Sequence, residues 1–206
     1  MNSPKIGAIS GISAPIVAII CILWAITTYP AFSWTNNALS DLGVVPGVTQ
    51  WLFNGGLCIA GGLVLIFTIF GLHHYVNKTL IGRAGSWIFG VASIMLVLIG
   101  IFNESFVSVH FIVAVAFFIL VSTSLFILTS HFYQTRQYTI TSFTATIAII
   151  ATLPWILQLI LPYVSNVAIP ETMSALAIST WTIGLSTKIH KPTQNPNNPV
   201  TKEPKC

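Results

Sequence analysis

Six long apolar runs broken by short polar stretches set the pattern of the chain: roughly 6–28, 51–72, 85–102, 109–130, 141–161 and 171–188. At about 1.5 Å rise per residue, about 20 helical residues cross a hydrocarbon core of about 30 Å, so each run is of spanning length, the third and sixth being the shortest. Unpaired backbone is too costly in lipid, and nothing in the runs alternates like barrel strands, so all six are predicted as helices. The expected fold is all-α: a polytopic membrane helix bundle with six transmembrane helices over 1–188. The polar segment 189–206, which contains KPTQNPNNPVTKEPKC, has no apolar periodicity to offset its ordering entropy and is expected to be a disordered tail. The first run follows Lys5 but is too long for a signal-peptide core and has no small-residue cleavage site before Tyr29, so it is expected to be retained.

Composition agrees with this pattern. Hydrophobic residues make up 54% of the chain and charged ones 6%, against about 25% charged in soluble domains. The eight Lys and Arg residues do not cluster, which argues against a nucleic-acid partner. Placed on six spans, all of them fall on one side: Lys5, Lys78, Arg83, Arg136, Lys188, Lys191, Lys202 and Lys205. Asp41, Glu104 and Glu171 fall on the other, and only Glu203 joins the bases. The positive-inside rule then predicts both termini in the cytoplasm and a multi-pass cell-membrane protein. Tyr29, Trp34, Trp51 and Tyr163 are expected near the outer interface, and Tyr75, Trp87, Tyr133 and Tyr138 near the inner one.

Small residues mark the expected helix contacts. Gly7 and Gly11 form a GxxxG, GGLCIAGG places Gly55, Gly56, Ala60, Gly61 and Gly62 on the second helix, and Ser86 with Gly90 repeats the spacing. Such residues let backbones approach in lipid, here within one chain in preference to between copies. Pro154 is expected to kink the fifth helix. Cys21 and Cys58 lie within spans and Cys206 ends the sequence, so no disulfide framework is predicted, and no internal repeat suggests a transporter built from inverted halves.

The stretch NNALSDLGVVPGVTQWLFNGG, residues 36–56, holds one of only four acids between two apolar runs. One reading is structural. Asp41, Glu104 and Glu171 precede or open the second, fourth and sixth helices, where a carboxylate gains about 0.3–1 kcal/mol from the helix dipole. SDLG has turn chemistry, with Gly43 able to take positive φ, and IPET places Pro170 and Glu171 in a first helical turn, which suffices to explain Glu171. The other reading is a site. Ser40, Asp41, Asn54, Asn103, Glu104, Ser105, His110 and Gln158 share the outer side, and the mid-membrane stretches hold no ionisable residue. Converging helix ends would make these residues a polar vestibule, in which Asp41, Glu104 and His110 suit an acid–base pair or a divalent metal. His73 and His74, near Lys78, read as headgroup contacts. No Walker loop, HExxH or complete GxSxG is present.

ALSDLGVV, WLFNGGLCIAGG, LIGIFNES and VHFIVAVAFF together resemble the multi-helix membrane family known as domain-of-unknown-function family 998. The resemblance covers about residues 6–185. The family's S-D-L-G loop corresponds to Ser40, Asp41, Leu42 and Gly43, its Asn-Gly to Asn54 and Gly56, its acidic turn to Gly100, Phe102 and Glu104, and its helix-opening His to His110. Asn103 stands where the family often has Pro. AIPE, Ala168 to Glu171, and Trp181 resemble the family's last span. The resemblance implies the six-span fold and singles out the same outer polar set, but supplies no reaction. The ceramidase-like transmembrane hydrolases need three zinc-binding His residues, and only His110 is on the outer side here.

Three functions are therefore weighed. The leading one is a non-catalytic protein that binds a lipid headgroup or a membrane-protein partner through Ser40, Asp41, Asn54, Glu104, His110 and Glu171, with no cofactor. A lipid-modifying enzyme using Asp41, Glu104 and His110, with metal as its less favoured variant, is the second. The third is a small transporter or channel acting as a homo-oligomer, disfavoured because no charge lies at mid-depth.

Overall fold

A computed structural model of the protein describes residues 3–190. The predicted tail lies outside the described residues, apart from 189 and 190, which are helical. Six long helices form in chain order: α1 (Ser3–Thr27), α2 (Val48–Val76), α3 (Leu80–Ile101), α4 (Val107–Gln134), α5 (Tyr138–Ile160) and α6 (Ala168–His190). All six apolar runs are helical, and each helix extends past the run at one end or both. Five of them, α1 to α5, are long and apolar enough to cross a membrane. The sixth is the least apolar because Thr172, Ser174, Ser179, Thr180, Thr182, Ser186 and Thr187 interrupt it. Several of these hydroxyls return to carbonyls of their own helix, as Thr172 Oγ1 does to Ala168 O at 2.7 Å and Thr182 Oγ1 to Ile178 O at 2.8 Å.

Each helix packs on the next, and α6 packs back on α1, closing a six-membered ring. Its connections, short except for the α1–α2 loop over 28–47, leave neighbours antiparallel, so Lys5, Lys78, Arg83, Arg136 and Lys188 gather at one end and Asp41, Glu104 and Glu171 at the other. Close approach of α1 to α2 depends on glycine. A Cβ on Gly7 would overlap the Gly71 backbone, and one on Gly11 would overlap Phe67 and the Ser186 hydroxyl. The GxxxG of α1 thus serves packing within the chain, as predicted. Gly71 belongs to a π-helical turn, Thr68–Leu72, inside α2, which the apolar pattern did not reveal. Pro154 lies inside α5 without ending it, as does Pro15 in α1.

Two buried clusters fill the ring. Toward the basic end, Phe67, Phe89, Leu125, Leu128, Phe132 and Trp181 interlock, and the Trp181 indole donates to Thr144 Oγ1 at 3.0 Å. Toward the acidic end, Leu39 and Leu42 of the α1–α2 loop pack with Phe53, Leu57, Ile99 and Val113, plugging the ring with chain from outside the helices. His73 does not stand free as a headgroup contact: its Nδ1 pairs with Ser86 Oγ at 2.8 Å and its ring lies 5.0 Å from that of Trp87. His74 is exposed.

Candidate functional site: an acid-headed lateral cavity

The α1–α2 loop is held over the acidic end by its own polar side chains. Asp41 Oδ2 accepts from Asn37 Nδ2 at 2.6 Å and from the Ala38 N–H at 3.1 Å, closing a turn that continues into a 3-10 helix, Ser40–Val44. The expected role of Asp41 at the start of α2 is therefore replaced by one in its own loop. Gly43 O accepts from both Asn54 Nδ2 (2.9 Å) and Asn103 Nδ2 (3.1 Å), tying the loop to α2 and to the α3–α4 turn. Gly43 does not use the positive φ open to it; in this loop that conformation is taken by Gly47, at φ 100°. Gly43 is required by proximity, since a Cβ there would stand 2.5 Å from Asn54 Oδ1, itself buried without a hydrogen-bond partner.

Two further side chains bond to this loop and a third stands beside them. Ser40 Oγ donates to Glu104 Oε1 at 2.6 Å, and Asp41 and His110 are the charged and titratable neighbours of Glu104. His110 is 7% exposed, and its Nδ1 stands 2.7 Å from O of Phe102, the residue that caps α3. A carbonyl only accepts, so Nδ1 donates; Nε2 has no hydrogen-bond partner among the described residues, and His110 lines the cavity. Glu171 Oε2 accepts from the Leu39 N–H at 2.6 Å. Glu171 does sit in the first turn of α6, as expected, and makes a specific contact across the ring besides. Glu171 lies outside the five apolar spans, and burial, reinforced by Glu104 and Asp41 and opposed by the Leu39 N–H, pushes its carboxyl up to about 8.

Of the six residues predicted to bind, Ser40, Asp41, Glu104, His110 and Glu171 therefore come together, and all five line one cavity of about 950 Å³. Asn54 stands behind them as a prop. Gln158, also on the predicted outer side, braces the α5–α6 loop through Val164 O at 2.8 Å. No group of three or more His, Cys, Asp or Glu side chains among the described residues is arranged to hold a metal ion. The Asp41, Glu104 and His110 set is thus a carboxylate–imidazole cluster without a metal-binding geometry.

The rest of the cavity is apolar. It runs between α4 and α5, walled by Val107, Phe111, Val115, Phe118, Ile119 and Phe126 on one side and Trp155 and Leu159 on the other. Many of these residues are exposed on the flank of the bundle, Phe111 at 67% and Leu159 at 83%. The cavity is therefore a lateral groove with a polar head. From Val107 to Phe126 its wall is roughly 28 Å long at about 1.5 Å per residue. A second space, of about 120 Å³, lies inside the ring beside Pro15, Leu57 and Ile178 and shares Ser40, His110, Ala114, Phe118 and Glu171 with the groove. Sequence reasoning missed the groove wall. Its residues recur at helical spacing along α4, but every face of α4 is apolar, leaving only Ser122 and Thr123 to set that side apart.

The family described as "Protein of unknown function (DUF998)" matches residues 12–188 of the chain. No curated protein and no solved structure matches it.

Proposed function

The chain belongs to the DUF998 family, whose description assigns no activity, and from its site we propose that it is a cell-membrane protein that binds a lipid, with the polar end of the lipid at the acidic cluster and one chain along the α4–α5 groove. All six helices cross the bilayer in this reading. The first turn of α6, Glu171 included, then lies at the level of the loops, where it meets Leu39. Both termini face the cytoplasm, so the groove head lies in the outer leaflet.

The observation that carries the reading is the polarity gradient of the groove. Its volume of about 950 Å³ is at the upper end of the roughly 300–1,000 Å³ usual for small-molecule sites. Half a hydrocarbon core is about 15 Å, so the wall is long enough for a chain of full leaflet depth. The exposed wall residues allow entry sideways from the bilayer. A lipid-modifying enzyme is the second reading, favoured by the proximity of Glu104 to Asp41 and by the open Nε2 of His110, which together could move a proton.

Filling the groove tests the proposal. Ala114→Phe and Ser122→Phe put bulk into it, whereas Ile112→Phe adds the same ring to an exposed position of α4 outside the groove lining. Native mass spectrometry of protein extracted from membranes should show lipid retained by wild type and Ile112→Phe and lost from the two groove variants. Equal retention by all four proteins would defeat the proposal.

A further inference from the structure

The hydrogen-bonding inventory of the groove head is one-sided. The donors present are already used: the Ser40 hydroxyl on Glu104, the Asn37 amide and Ala38 N–H on Asp41, the Leu39 N–H on Glu171, and His110 Nδ1–H on Phe102 O. What remains at the head are acceptors, namely the second oxygens of Asp41 and Glu104 and Nε2 of the nine-tenths buried His110. Ionised carboxylates only accept, so the free oxygens of Asp41 and Glu104, which line the same head, are suited to a donor or a cation. The described Lys and Arg residues all lie at the opposite end of the ring. The charged and titratable groups acting on Glu104 are Asp41 and His110, and those acting on Glu171 are Glu104 and Asp41.

We propose that the groove takes a long-chain primary amine, with the ammonium donating to Asp41, Glu104 and His110 Nε2 and the chain lying along α4. This rests on the lipid-binding reading above and narrows it. An ammonium supplies three donors and a positive charge, matching three acceptors and two carboxylates that no described Lys or Arg reaches. A trimethylammonium head has the charge but no N–H. A phosphate has neither, and would bring a further negative charge to the carboxylates. A single chain suits a single groove, since the inner space of about 120 Å³ is too small for a second long one.

Binding of four dodecyl probes to the full chain in lipid nanodiscs, followed by tryptophan fluorescence, distinguishes these heads: dodecylamine, dodecyltrimethylammonium, dodecylphosphoethanolamine and dodecylglycerol ether, with ethylamine as a chainless control. Dodecylamine is expected to bind at least about tenfold more tightly than each of the others. In Asp41→Asn and in Glu104→Gln that preference should fall below about threefold, a ratio taken within each variant and so independent of changes in its overall stability. Equal binding of the trimethyl head would overturn the donor-matching account, and equal or tighter binding of the phosphoethanolamine head would overturn the phosphate-free one. Tightest binding of the glycerol ether would overturn the ammonium proposal while leaving a lipid groove in place. Ethylamine binding as tightly as dodecylamine would instead remove the groove, and with it the long-chain ligand. Failure of every dodecyl probe would sink both readings.

Discussion

A carboxyl group in the position of Glu171 ties stability to pH in an uncommon direction. Its folded-state value of about 8 lies above the ordinary 4.5, because burial and the neighbouring Glu104 and Asp41 oppose ionisation more than the Leu39 N–H favours it. Between those values the folded chain holds a proton that the unfolded chain has released. The contribution is complete below the ordinary carboxyl value and is lost as pH rises toward about 8. A single group changes stability by at most about 1.4 kcal/mol per pH unit. Glu171→Gln keeps an oxygen to accept from Leu39 and removes the titration, so its melting temperature should fall less than that of wild type between about pH 5 and pH 8. Parallel melting curves across that range, in matched ionic strength, would show that Glu171 ionises freely in the fold.

Among elements, the contact of α1 with α2 puts the strictest demand on side-chain size. Gly7 meets the Gly71 backbone, which cannot move aside as a side-chain tip can. Gly7→Ala should therefore cost about 1–3 kcal/mol, the usual penalty of overpacking. Gly62, with nothing near its absent Cβ, should gain up to about 1 kcal/mol as Ala by the difference in helix entropy. Denaturant titration of the two variants measures both, and equal stabilities would contradict the close packing. Gly7 and Gly11 were legible as packing residues because small residues at a spacing of four have few other uses in lipid. Their partners were not. Gly71 faces Gly7 by way of a π turn whose extra residue leaves no trace in an apolar run. The six helices were legible from length alone, as was the common side of the three acids, since antiparallel neighbours alternate in direction. Shared depth and the family resemblance pointed to a cluster of Asp41, Asn54, Glu104 and His110; Asp41, Glu104 and His110 line one cavity, whereas Asn54 turns to Gly43 O behind them. Glu171 was assigned to the helix dipole because sequence places it beside Pro170 but says nothing of Leu39, 132 positions away. The groove stayed hidden because α4 is apolar all round, so hydrophobic contrast cannot separate a wall that faces a cavity from one that faces lipid.

At the scale of the whole molecule, the separation of charge along the ring decides which leaflet the groove head can reach. Lys5, Lys78, Arg83, Arg136 and Lys188 sit at one end, and Asp41, Glu104 and Glu171 at the other. Lys and Arg in short loops hold the end they occupy in the cytoplasm, whereas acids have little influence on orientation. The acidic cluster and the α1–α2 loop should therefore face outward, so that the groove receives its lipid from the outer leaflet. Cysteine accessibility in intact cells tests this, with Cys21, Cys58 and Cys206 first replaced by alanine. Asn36 is exposed in the loop at the acidic end and Asn77 is exposed in the α2–α3 turn at the basic end. A membrane-impermeant maleimide should label Asn36→Cys at once and Asn77→Cys only after permeabilisation. The reverse pattern would invert the molecule and move the groove head to the inner leaflet. Labelling of both sites in intact cells would mean that the two ends are not separated by a bilayer, and the assignment of the helices as membrane spans would fail with it.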